Sequence, residues 1–430
     1  MAILAMITVA LLLRFMPVSD VGYWFFFQTI FSLLDTCRTG FLQTAMIKFY
    51  SGVEKKRADI VLGSMWYLSI IVTLIMILAD LLAISSLQFI HNSGFSIVVK
   101  WFSITFLCTL PLSVASWVIQ ADQKFHKLLI LRFINQGIFV LLIILMIFLK
   151  DINLQVVLII NIISAFITSI FCLIKGWTRI ETFSKRTTSC ILELFHFGKY
   201  SMGSTIITNL LRSSDTLIIL FLLGGSGPAA VAMYVMAMRL MEIVEIPLRS
   251  FLATGMPAMS EAFNENRKDK LAQIMQQYAG ILTILLIPVC IFAIIFADFA
   301  VHLLGGDKYA GTYAVSVYQI SMSFAFFLPI DRFLGITLDI IHKPRINFYK
   351  VIIMLTTNII FDFLGIYIFG NINGIAIASF FTFLSGIIFG YYWLKKYLDF
   401  TIKGILRTGL TEVAYFFQKI NFKRFPFYFR

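Results

Sequence analysis

The chain has 430 residues and a formal net charge of +13, with 60% hydrophobic and only 13% charged residues at a mean hydropathy of +0.90. These values exclude a water-soluble globular domain and a disordered chain, and they place most of the polypeptide in a bilayer. The basic balance does not point to nucleic acid, because no aromatic-basic nucleic-acid motif accompanies it; a basic face on anionic lipid accounts for it.

A spanning helix needs about 20 mostly apolar residues at a rise of ~1.5 Å each. Twelve such stretches are predicted, near 2–13, 22–47, 61–79, 98–119, 128–149, 152–174, 201–223, 229–260, 277–297, 312–339, 351–369 and 373–394. The first is short: the apolar residues before Arg14 reach only ~18 Å of a hydrocarbon core of ~30 Å. It lacks the basic start and small-residue cleavage site of a secretory signal, so it reads as a span whose beginning lies upstream of Met1.

Basic residues fix the expected orientation, since loops rich in Lys and Arg stay on the cytoplasmic side. The connections 51–60, 121–132, 175–200, 261–272 and 341–350 hold 3, 3, 5, 3 and 3 Lys or Arg, and the tail from 395 holds 8. The opposite connections hold only Arg14, Lys100, Lys150 and Lys308. Both termini are therefore expected in the cytoplasm. The segment 222–230, LLGGSGPAA, reads as a tight external turn, and 175–200 as a linker between halves.

The five cysteines (Cys37, Cys108, Cys172, Cys190, Cys290) show no CxxC spacing and read as small apolar fillers. The five histidines never pair at metal-ligand spacing, and no GxxxxGK[ST] phosphate loop is present. No metal, cofactor or nucleotide engine is called for.

The chain repeats itself at a constant offset of 210 residues: Val21/Val231, Phe41/Phe251, Leu42/Leu252, Met46/Met256, Arg57/Arg267 and Asp59/Asp269 match. The second span then aligns with the eighth, an even number of spans away, so the halves enter the membrane in the same direction as parallel repeats. The expected organisation is an N-terminal lobe over 1–180, a C-terminal lobe over 181–394 and a basic tail over 395–430. The fold class is an all-α polytopic membrane protein with about twelve transmembrane helices in two parallel pseudo-symmetric lobes.

Four stretches resemble the bacterial polysaccharide flippases of the multidrug/oligosaccharidyl-lipid/polysaccharide exporter superfamily: GKYSMGSTIITNLLRSSDTLII (198–219), VAMYVMAMRL (231–240), LLGGDKYAGTYAV (303–315) and LDIIHKPRINFYKV (338–351). Their order and spacing carry the likeness, which covers nearly the whole chain. The resemblance implies two six-helix lobes around a central cavity lined by the first, second, seventh and eighth helices. It also implies a substrate, a polyprenyl-diphosphate-linked glycan turned from the inner to the outer leaflet of the bacterial cytoplasmic membrane. Polymerase and glycosyltransferases of the same pathway would be further partners.

Charges inside the spans are the best functional signal, because a charge at mid-bilayer costs several kcal/mol and turns to a protein interior or a wet cavity. Arg239, Glu242, Glu245 and Arg249 of the eighth span fall within roughly 120° of one another at ~100° per residue, so they share one face. Gln28, Asp35 and Arg38 do the same on the second span, with Asp35 aligned to Glu245, as do Thr205, Asn209, Arg212 and Asp215 on the seventh. Arg38, Arg212, Arg239 and Arg249 are the candidate diphosphate contacts, since a guanidinium forks onto phosphate oxygens. Asp35, Asp215, Glu242 and Glu245 are their charge partners or coupling-ion sites. The alternative is that Asp35/Arg38, Arg212/Asp215, Arg239/Glu242 and Glu245/Arg249, each three or four residues apart, only neutralise one another. Asp331, Arg332, Asp339 and Asp362 extend the polar inventory with no facing assigned, and Pro111, Pro247, Pro257, Pro288 and Pro329 mark hinges or ordinary kinks.

Three other functions compete. A small-cation exporter of the same superfamily would show unpaired cavity acids, whereas every buried arginine here has an acid neighbour. A membrane polymerase or ligase needs a larger external loop than this chain has, and a scaffold has no use for matched polar faces. In the tail, Leu398, Ile402, Ile405, Leu406, Leu410 and Val413 trace an apolar stripe opposite Lys396, Lys403 and Arg407. That pattern predicts a helix lying on the inner leaflet.

Overall fold

The computed structural model describes residues 2–86 and 93–423. Every predicted span is helical. In chain order they are α1 (Ala2–Phe15), α2 (Val18–Tyr50), α3 (Lys55–Ser86), the pair α4 (Ser93–Cys108) and α5 (Leu110–Ala121), α6 (Phe125–Phe148) and α7 (Leu154–Ile174). There follow α8 (Thr188–Leu222), α9 (Gly227–Asn264), α10 (Lys268–Ile295), the short α11 (Ala297–Gly305), the pair α12 (Tyr313–Ala325) and α13 (Leu328–Ile340), α14 (Pro344–Phe369), α15 (Asn373–Leu394) and α16 (Ile402–Lys423). No strand occurs among the described residues. Seven helices there are long and apolar enough to cross a membrane, or nine when each bent pair is one span. Helix α1 is apolar but short, as its sequence predicts, while α2 and α9 are long enough and not apolar enough, each carrying several charges within the predicted span. The protein is a multi-pass membrane protein.

Both bends have the same local cause. Pro111 opens α5 and Pro329 opens α13, each preceded by a leucine, and a proline neither donates to the helix ladder nor tolerates the carbonyl four residues back. The chain bends by 48° between α4 and α5 and by 54° between α12 and α13. These are the fourth and tenth spans, six apart, so the bend recurs at corresponding places in the repeat. Pro247 and Pro257, in contrast, lie inside a continuous α9.

Packing divides the chain into compact units over 1–232 and 233–430. In the first, α8 runs along α2, which is why packing divides the chain later than the repeat does. Small residues permit the approach, as expected where lipid gives helices no hydrophobic drive to associate. A Cβ on Gly40 would sit 2.9 Å from the Thr205 side chain, and one on Gly198 would meet the Phe41 carbonyl at 2.5 Å. An aromatic cluster of Trp24, Phe27, Phe31, Phe102 and Phe106 fills the space beside α2.

In the second unit α14 and α15 pack at a glycine pair, where a Cβ on Gly365 would strike the Gly374 carbonyl at 2.4 Å. The tail forms its predicted helix, α16, but part of the apolar stripe is not free for lipid. Ile405 is buried against α10, and Gly409 crosses Gly280 with backbones in contact. Leu410, farther round the helix, is exposed.

Candidate functional site

Arg38 is fully enclosed. Its Nε and Nη2 donate to Asp35 Oδ1 at 3.1 and 2.6 Å, Nη1 donates to the Phe106 carbonyl at 3.0 Å, and Nη2 also reaches Thr109 Oγ1 at 3.0 Å and Ser113 Oγ at 3.2 Å. The guanidinium lies 4.0 Å from the centre of the Phe106 ring. These partners belong to the last turn of α4, the break at Thr109 and the first turn of α5, so Arg38 ties α2 to the bend. Thr39 Oγ1 donates to the other oxygen of Asp35 at 2.9 Å. A side chain with its donors committed in this way is not presented to a substrate in this conformation.

Arg212 has the opposite setting. It is exposed on α8, and among the described residues no hydrogen bond or ion pair involves it. Asp215, one turn on, is half-buried and engaged. Asn209, one turn before, donates to Thr36 Oγ1 on α2 at 2.6 Å and fixes the rotation of α8 against α2. The polar face of α8 is thus part anchor, through Asn209, and part open, through Arg212.

On α9 both expected pairs form. Arg239 donates to both oxygens of Glu242 at 2.9 and 3.1 Å, and Arg249 donates to Glu245 at 2.9 Å. They are open pairs: Arg239 is 40% and Arg249 67% exposed. Leu240, Val244 and Leu248 hold the opposite face of α9 inside the unit, and Gly255 lets the helix approach Tyr278 and Phe333. The repeat-aligned acids Asp35 and Glu245 therefore each accept from an arginine on their own helix. One arginine is sealed in protein and the other is largely accessible.

Sequence reasoning missed a buried ion pair and left the facing of Arg332 unassigned. Lys350, which the loop count placed in solvent, is enclosed on α14. Its Nζ lies 2.6 Å from Asp331 Oδ1 and 2.8 Å from the Asp331 carbonyl, with both side chains 4% exposed. This lysine holds the first turn after the α12/α13 break, as Arg38 holds the α4/α5 break. Only the bend brings the two residues together, so nothing local could have paired them. Arg332, next to Asp331, turns the other way: it is exposed and has no ion pair or hydrogen bond among the described residues. Farther along α14, Asn358 and Asp362 continue the buried stripe of Lys350 and Met354 at a spacing of four. No group of His, Cys, Asp or Glu there could hold a metal ion among the described residues.

A second cluster joins the C-terminal ends of α2 and α5. Asp122 accepts from Tyr50 Oη at 2.7 Å, from Lys124 at 2.8 Å and from Arg179 at 2.8 Å, and Arg179 also donates to Tyr50 Oη. Burial pushes the Asp122 carboxyl up, but the hydrogen bonds from Lys124 and Tyr50 and the Arg179 charge outweigh it and hold it below the usual carboxylate range.

Set against known families, residues 11–314 match the model of the polysaccharide biosynthesis protein family. The chain belongs to that family. No curated protein matches this family member in sequence. Among solved structures it is similar to the lipid II flippase MurJ in its inward closed conformation, at 15% identity and a TM-score of 0.75, covering 99% of this chain and 91% of that one. It is comparably similar to an inward-facing multidrug resistance MATE family transporter of the MOP superfamily, at 16% identity and a TM-score of 0.74, covering 95% and 94%. A MOP superfamily transporter from Pyrococcus furiosus, described as having a binding pocket of reverse polarity, follows at 15% identity and a TM-score of 0.62, covering 95% and 94%. At these identities the likeness establishes the fold, an all-helical transporter fold as expected from the sequence. MurJ and a multidrug transporter match it almost equally, so the substrate class has to be argued from side chains.

Proposed function

We propose that this protein turns a polyprenyl-diphosphate-linked oligosaccharide across the bacterial cytoplasmic membrane, for surface polysaccharide synthesis, by alternating access between the lobes 1–180 and 181–394. The observation that carries the reading is the accessibility of the arginines: Arg239 and Arg249 pair with acids yet stand 40% and 67% exposed on a bilayer helix. Arg212 and Arg332 are exposed with no acidic partner among the described residues. Open guanidinium groups on spanning helices suit an anionic headgroup, which takes two oxygens per fork and outcompetes a carboxylate held at a partly solvated surface. A small cation would be repelled by the same groups. Arg38 supports transport differently, by holding the α4/α5 bend with Asp35. Both termini and the basic loops face the cytoplasm in this scheme. The membership in a polysaccharide biosynthesis family supports the substrate class.

The test is complementation of a strain lacking the gene. Arg239→Ala and Arg249→Ala are expected to abolish surface polysaccharide while expression and membrane insertion persist, and the lysine variants to restore it only in part, because an ammonium lacks the fork. Normal polysaccharide in both alanine variants would refute the assignment.

A further inference from the structure

In the second unit a half-open groove of about 600 Å³ lies along the inner side of the α12/α13 bend, against α15 and the start of α16. Phe324, Phe327, Phe380, Phe383, Ile387 and Tyr391 are among the side chains that line it, and its lining is almost wholly apolar. The bend made by Pro329 opens it. At one end stand Lys395 and Lys396, both exposed. No carboxylate pairs with either among the described residues; Lys396 lies 4.0 and 4.3 Å from the Trp393 and Tyr392 rings, and Lys395 lies 5.5 Å from Tyr391.

We propose that this groove is a binding site for one anionic phospholipid of the inner leaflet, with an acyl chain along the aromatic groove and its phosphate between Lys395 and Lys396. Depth supports it. Helix α15 has 22 residues, so a rise of ~1.5 Å per residue carries it across a core of ~30 Å and brings its last turn to the headgroup level. The lysines follow directly, with Tyr391, Tyr392 and Trp393 as the aromatic belt found at that level. Charge supports it too: two ammonium groups with no carboxylate partner among the described residues suit an anionic phosphate headgroup. The volume lies within the ~300–1,000 Å³ of small-molecule sites. The groove lies within the second unit and no arginine of α9 lines it, so this inference stands apart from the transport reading.

The experiment measures lipid retained by the purified full chain by native mass spectrometry, after titration with phosphatidylglycerol or with phosphatidylcholine of the same chains. The wild type is expected to retain one phosphatidylglycerol per chain, with a preference over phosphatidylcholine of about thirtyfold from two lysine contacts. The Lys395→Ala/Lys396→Ala variant is expected to lose that preference. Ile388→Trp, which projects into the groove from an exposed position, is expected to reduce retention of both lipids while thermal stability is unchanged. Equal retention of the two lipids by the wild type, or an unchanged preference in the double alanine variant, would overturn the proposal. So would displacement of phosphatidylglycerol by polyprenyl phosphate at lower concentration than by phosphatidylglycerol itself, which would assign the groove to the carrier lipid.

Discussion

Two arginines at repeat-related turns of α2 and α9 show how burial separates roles that residue type cannot. Arg38 is sealed with Asp35 and three partners at the α4/α5 break, and removing one member of a buried pair leaves the other charge and a backbone carbonyl unsatisfied. Arg38→Ala is therefore expected to lower stability in detergent by about 3–5 kcal/mol, read as a drop in the unfolding midpoint. Arg249→Ala, at 67% exposure, is expected to stay within about 0.5 kcal/mol of wild type and to lose polysaccharide export nonetheless. A midpoint unchanged in Arg38→Ala would contradict the assignment of that residue to the bend. The Asp331 and Lys350 pair behaves like the first case: Lys350→Met is expected to cost a similar amount, about 3–5 kcal/mol, and Lys350→Met with Asp331→Leu to recover most of it. Asp122 adds a pH dependence. Its native pKa lies below its unfolded one, so its contribution is full above the unfolded value of about 3.9 and is lost as pH falls through the native value. Wild type should therefore lose stability faster than Asp122→Asn on acidification below pH ~4, and parallel melting curves would refute the cluster's role.

At the scale of elements, the glycine contacts decide which helices touch. Gly280 and Gly409 bring α10 and α16 into backbone contact, and a Cβ at Gly280 would lie 2.2 Å from the Ile405 carbonyl. Gly409→Leu is therefore expected to detach α16. On a cysteine-free background, Gln276→Cys with Gly404→Cys should cross-link readily, since those side chains adjoin, and the added Gly409→Leu should abolish the cross-link. An unchanged yield would show that the packing tolerates the side chain. The tail also shows what a sequence pattern conveys. Its apolar stripe was legible and the helix formed, but a stripe does not say whether protein or lipid covers it, and the glycines at 404 and 409 were the local sign of a protein partner. The bends at Pro111 and Pro329 were legible only as hinge or kink, because the sequence does not show that Arg38 and Lys350 arrive from other helices to hold them.

For the molecule as a whole, the helices of the predicted spans could be read from hydropathy alone, since a bilayer imposes one helix length and one solvent on every element. The candidate site was legible by residue type and helix face, and not by rotation. Arg38 shares its face with Asp35 as expected, but that face turns into its own unit, whereas Arg212 and Arg249 are exposed and the paired Arg239 side chain is 40% exposed. Arg332 was legible as an intramembrane charge but its facing was not, because its exposure depends on the bend beside it. The open arginines argue for an anionic lipid-linked glycan, while the fold alone fits a lipid II flippase and a multidrug transporter about equally. The most direct measurement is translocation in proteoliposomes, following how much of a labelled polyprenyl-diphosphate-linked saccharide becomes accessible to a reagent added outside. Wild-type protein is predicted to expose the label from the inner leaflet, Arg249→Ala to leave it inaccessible, and neither to expel a cationic dye. Expulsion of the dye by wild-type vesicles, with the saccharide left in the leaflet where it began, would contradict the account.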